Sequence, residues 1–170
     1  MKNIIFVTLL AVFTVFSCNE KTKTKEDVTT YYLIRHAEKD RTNKTNRNPN
    51  LKKEGLQRAK RWAKHFKNIR FNMVYSTDYN RTKQTAMPTA KANNLELQIY
   101  DPSNYNIEAF MAKTKGKTVL IVGHSNTTPI FANTLLGEQK YKMMADNDNA
   151  SLYIVTIANG FKTSEIKTVN

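Results

Sequence analysis

The sequence predicts an α/β fold, a three-layer α/β/α sandwich with a mostly parallel central sheet. Three observations carry that expectation. Short β-branched or aromatic runs alternate with segments of helical period along most of the chain. Residues 117–122 (KTVLIV) form the most hydrophobic run, which suits the centre of a parallel sheet covered on both faces. The chain has 170 residues, 40% of them hydrophobic, enough for one domain with a sizeable core and little more.

The elements follow in order. Residues 29–34 (TTYYLI) read as the first strand. From Leu51 the period changes: Leu56, Ala59, Ala63, Phe66 and Ile69 recur at three and four, the mark of an amphipathic helix with Lys and Arg outside. Residues 72–75 are a second strand, and 81–92 a second helix in which Pro88 predicts a kink or early break. Residues 95–100 and 107–113 give the third strand and helix. The strand at 117–122 is followed by a helix at 129–136, with Gly137 placed to close it. Residues 152–158 and 161–169 are joined by Asn159-Gly160, the signature of a tight hairpin turn.

The first residues read as an address. A basic start (Met1-Lys2-Asn3) precedes a charge-free run from Ile4 to Phe16. That run is shorter than the roughly 20 residues a membrane-spanning helix needs, and it has the proportions of a secretory signal. Ser17-Cys18 follows directly, and this arrangement resembles a bacterial lipoprotein signal. The resemblance implies residues 1–17 as signal peptide and lipid on Cys18, attaching the protein to a membrane of the bacterial cell envelope at its periplasmic face. A plain secreted protein, or a core strand with a buried Cys, is the alternative. Residues 18–27 contain the polar stretch NEKTKTKED and read as a tether, leaving 28–170 for the folded domain.

Composition removes several classes of function. A single Cys excludes an internal disulfide framework or a Cys-built metal site. Three His without closely paired ligands make a His-built zinc site improbable. The net charge of +13 points to anionic partners or substrates. It is not nucleic acid that we expect there, since no aromatic-interleaved basic motif accompanies the charge.

Ligands of open α/β sheets bind beyond the carboxyl ends of the strands. There the sequence places Arg35 and His36 after the first strand, Ser76 and then Arg81 after the second, Asp101 after the third, and Gly123-His124-Ser125 after the fourth. Arginine offers forked donors matched to phosphate oxygens, and neutral imidazole can attack phosphorus. The cluster is a phosphate site by its chemistry. His65 and the 146–149 stretch (DNDN) receive plainer readings, a helix-edge residue and a turn.

These residues also carry a resemblance. Arg35-His36-Ala37-Glu38-Lys39 is similar to the RHG/RHAE signature of the histidine phosphatase (phosphoglycerate mutase-like) superfamily. Residues 75–86 (YSTDYNRTKQTA), 51–59 (LKKEGLQRA) and Gly123-His124-Ser125 resemble three further segments of that family, in the same order. The resemblance implies a phosphoglycerate mutase-like fold and a phosphatase that works through a phosphohistidine on His36. Arg35, Arg81 and His124 would hold the phosphoryl oxygens, with no metal or organic cofactor required. A carboxyl group should protonate the leaving oxygen. Asp101 is the first candidate and Glu108 the second, while Glu38 is expected to orient the loop. The chain's size is similar to that of the small phosphohistidine-phosphatase-like members. The substrate, whether a small phosphate ester or a phosphoprotein, and the oligomeric state stay open. The competing reading is a catalytically inactive lipoprotein that binds phosphorylated ligands.

Overall fold

The computed structural model describes residues 27–170, so the expected signal peptide, Cys18 and nearly all of the tether lie outside the described residues. Ten elements follow one another: β1 (Thr29–Arg35), α1 (Lys53–His65), β2 (Met73–Ser76), α2 (Asn80–Ala92), β3 (Leu97–Ile99), α3 (Ile107–Thr114), β4 (Thr118–Gly123), α4 (Thr127–Leu136), β5 (Ser151–Ala158) and β6 (Phe161–Thr168). They build one six-stranded sheet in the order β3-β2-β4-β1-β5-β6. β1, β2, β3 and β4 run parallel to one another, and β5 pairs antiparallel with both β1 and β6.

Alternation along the strands sorts the core into two layers. In β4, Val119 and Ile121 face one side, where Phe131 and Leu135 of α4 pack with Phe110 of α3. Leu120 and Val122 face the other, against Trp62 and Phe66 of the α1 segment and Ala86 and Ala90 of α2. Helices thus cover both faces, α1 and α2 on one and α3 and α4 on the other. Burial of side chains as large as Trp62 and Phe131, each 1% exposed, stabilises each layer by about 1.5–3 kcal/mol per residue.

Two sequence expectations need correction. Leu56 does not belong to the apolar face of α1; it is 45% exposed. The buried face is Gly55, Ala59 and Trp62, because α1 turns its glycine toward the loop after β1. A Cβ on Gly55 would collide with the backbone carbonyl of Glu38, so only glycine permits this approach. Pro88 neither breaks nor shortens α2, which continues to Ala92. The ring costs one backbone hydrogen bond, and the fully buried Ala86 and Ala90 on either side hold the helix against the sheet. The closing turns are as expected: Gly137 is left-handed with φ 79°, and Asn159 and Gly160 both have positive φ in the β5–β6 turn.

Candidate active site

β1 and β4 are paired neighbours in register, Arg35 beside Gly123, so the residues following each strand emerge together. His36 continues the ladder: its N–H donates to the Gly123 carbonyl at 3.0 Å. Its own carbonyl accepts from Asn149 Nδ2 at 2.8 Å, and the next N–H, of Ala37, donates to Thr85 Oγ1 at 2.9 Å. Every polar backbone group around His36 is therefore tied. The ring is tied as well, since Nδ1 donates to the Ala37 carbonyl at 2.7 Å. A carbonyl can only accept, so the proton sits on Nδ1 and the lone pair on Nε2.

Burial and cations keep that ring neutral. Desolvation first, then Arg35, Arg81 and His124, pull the His36 pKa down to about 3 against the support of the Ala37 carbonyl. His124 lies with its ring centroid 5.5 Å from that of His36. Its pKa falls to about 4 through burial and then Arg81, Arg35 and Lys39. Its Nδ1 accepts from Arg81 Nη2 at 3.4 Å, which puts the His124 proton on Nε2, donated to Thr77 Oγ1 at 3.0 Å. Thr77 in turn donates to Thr82 Oγ1, also at 3.0 Å. Tyr79 stands edge-on to His124 at 5.0 Å with the Arg81 guanidinium 4.3 Å above its ring.

The two arginines differ. Arg35, 3% exposed, is largely committed to the 145–148 loop. Its Nη1 donates to the carbonyls of Ala145, Asp146 and Asp148 at 2.8–3.1 Å, and Nη2 meets Asp146 Oδ1 at 3.1 Å. Arg81 makes only long bonds, 3.4 Å to the Arg47 carbonyl and 3.4 Å to His124. In both, Nε is buried and without a partner. Unpaired buried donors are uncommon in folded proteins, and two beside one imidazole describe a place made for an oxyanion.

Part of the chain matches the histidine phosphatase superfamily. The family model for branch 1 of that superfamily matches residues 31–102, which hold His36, Arg81 and the segments between them. Comparison with curated protein sequences finds no match. Among solved structures, the chain is similar to phosphoglycerate mutase from Bacillus anthracis str. Sterne, with 19% identity and TM-score 0.62 over 85% of this chain and 93% of that one. It is also similar to the protein histidine phosphatase SixA complexed with tungstate, at 14% identity and TM-score 0.65 over 82% and 96% of the two chains. Phosphoserine phosphatase from Entamoeba histolytica gives 14% identity and TM-score 0.62 over 80% and 94%. At these identities the structures establish the shared phosphoglycerate mutase-like fold.

In this chain, four of the six site residues expected from the sequence come together: Arg35, His36, Arg81 and His124. Neither carboxylate shares a hydrogen bond or ion pair with them. Asp101 is exposed and accepts the Ser103 N–H at 2.8 Å in a local turn, and Glu108 is exposed in the first turn of α3. Glu38 pairs with Arg58 Nε at 2.7 Å and so holds the loop after β1 to α1. A cavity of about 760 Å³ opens beside His36, and its lining carboxylates are Glu38, Asp40 and Asp146. Sequence reading missed Thr77, Thr85, Asp146 and Asn149. Among the described residues no group of three or more His, Cys, Asp or Glu side chains could hold a metal ion, and no helix is long and apolar enough to cross a membrane.

Proposed function

We propose that this protein is a phosphomonoesterase that works through a phosphohistidine on His36. The observation that carries the reading is the state of that ring: neutral, with Nδ1 locked on the Ala37 carbonyl and Nε2 left as the nucleophile among cations. Nε2 attacks phosphorus in line, an N–P bond forms, and the P–O bond to the leaving group breaks. Water then attacks the phosphohistidine and releases inorganic phosphate, returning the neutral ring. Charge on the equatorial oxygens is met by Arg81, by Arg35 Nε and by His124, positioning and electrostatics being the main sources of rate in phosphoryl transfer. That a protein of the same fold forms a complex with tungstate, also an oxyanion, supports oxyanion binding by this fold. The sequence features around Cys18 support a lipid-anchored domain at the cell envelope.

The test is hydrolysis of 4-nitrophenyl phosphate by the full chain, with an alkaline quench to trap labelled phosphoenzyme. We expect turnover and label in the native chain. His36→Ala should lose at least about a thousandfold in kcat/KM and all of the label. Equal turnover in the two proteins would remove His36 from the mechanism. Phosphate binding without turnover in either would favour the inactive binding protein.

A further inference from the structure

The cavity beside His36 is lined by more than the nucleophile. Arg35, Lys39, Arg41 and Lys52 face it together with Glu38, Asp40 and Asp146. Most of these charges have partners elsewhere. Glu38 is held by Arg58 at 2.7 Å. Asp40 accepts the Thr42 N–H at 2.9 Å within its own loop, and Lys52 lies 3.8 Å from Glu54. Asp146 alone serves two cations, Arg35 at 3.1 Å and Arg41 at 2.9 Å. Lys39 has no ion-pair partner among the described residues.

Lys39 is half-buried, three positions beyond His36 on the same loop. Burial, then Arg41 and Arg81, and more weakly Arg35, lower its pKa, and Asp146 opposes them. A cation that pays this cost beside two or three others is a receptor for negative charge. The arrangement of Asp146 shows what that receptor accepts. Its carboxylate is 74% exposed, so an incoming anion can exchange with it without disturbing the core. The volume falls within the range of cavities that take small molecules.

We propose that Lys39 and Arg41 form a second anion subsite, so that the substrate is a small phosphomonoester whose leaving group carries a carboxylate or a second phosphate. This rests on the phosphatase reading of His36 for where the phosphoryl group sits. In this arrangement Asp146 is the chain's own counter-ion, displaced from Arg41 when the substrate's second anion arrives.

Binding calorimetry on the full chain tests the subsite apart from turnover, using benzylphosphonate and its 3- and 4-carboxy derivatives, which cannot be hydrolysed. At least one carboxy derivative should bind about tenfold more tightly than the parent, the scale of one added charge-assisted contact. Lys39→Met should bring that ratio close to one, and raising salt from about 0.05 M to about 0.5 M should shrink it in the native chain. Equal binding of the parent and both derivatives at low salt would overturn the proposal, as would a ratio that Lys39→Met leaves intact. The salt series reads the same question if the variant fails to fold. A preserved preference with no hydrolysis of 4-nitrophenyl phosphate would uphold the subsite and defeat the phosphatase reading. Hydrolysis without any preference would do the reverse.

Discussion

The carboxyl ends of the central and the outer strands of this sheet are built on different terms. After β1 and β4 the chain is held by partners from far along the sequence: Gly123, Thr85 and Asn149 fix the His36 peptide units, and His36 is 4% exposed. After β3, two strands beyond β4 and at the edge of the sheet, Asp101 turns on its own neighbour Ser103 and stands in solvent. The centre is organised before any substrate arrives, at the expense of burying two imidazoles among arginines. The edge carries no such cost and imposes no such order. The proposed phosphoryl chemistry therefore belongs to the middle of the sheet, where the order is.

The burial of two imidazoles gives the largest measurable consequence. Their folded pKa values are depressed, to about 3 for His36 and about 4 for His124, below the ordinary 6.5. An unfolded chain therefore takes up protons between those values that the folded chain refuses. The stability these rings contribute is complete above pH 6.5 and is lost as pH falls toward the folded values. We expect the fold to lose on the order of 3 kcal/mol per ring between pH 7 and pH 4 from this source. Chemical denaturation across that range checks it. Ring resonances of His36 and His124 should not titrate between pH 8 and pH 5, and a midpoint near 6.5 for either would erase the contrast between centre and edge.

Next in size is the close approach of α1 to the loop after β1. Gly55→Ala forces a methyl group into the Glu38 carbonyl, so the loop or the helix must move. The expected cost is about 2 kcal/mol of stability, with a fall in kcat because Glu38 is two residues from His36. Thermal unfolding and turnover together test this; an unchanged melting temperature would show that the loop yields freely and that the centre is less rigid than its hydrogen bonds indicate. The smallest effects belong to the edge. Asp101→Asn and Glu108→Gln should each alter kcat/KM for an alkyl phosphate by less than about threefold, as side chains in solvent outside the cavity. A loss of tenfold or more at Asp101, with 4-nitrophenyl phosphate spared, would show that the end of β3 closes over the leaving oxygen and supplies its proton.

How far the sequence reveals this molecule follows the same division. Strand and helix order, the two-sided burial of β4 and the grouping of Arg35, His36, Arg81 and His124 are legible because each depends on a local pattern at a strand end. The residues that position them are not. Thr85 and Asn149 act over 48 and 113 positions of sequence. Asp146 and Asn149 sit in a stretch whose composition signals a turn whether or not the turn reaches an active site. The face of α1 was displaced for a related reason: hydrophobic periodicity counts Leu56 and is blind to Gly55, whose contribution is the side chain it lacks.

The position of β1 in the sheet also sets when the site can come into being. β1 lies between β4 and β5, and His36 at its end is pinned by Gly123 from one side and Asn149 from the other. Both follow β1 by more than 80 positions, so during synthesis β1 must wait, unpaired on both edges, until they emerge. Such long-range closure is slow and leaves apolar strand edges uncovered in the interval. A nascent chain ending before Asn149 has the motif but not the held imidazole, so the ordered site appears only after that residue has emerged.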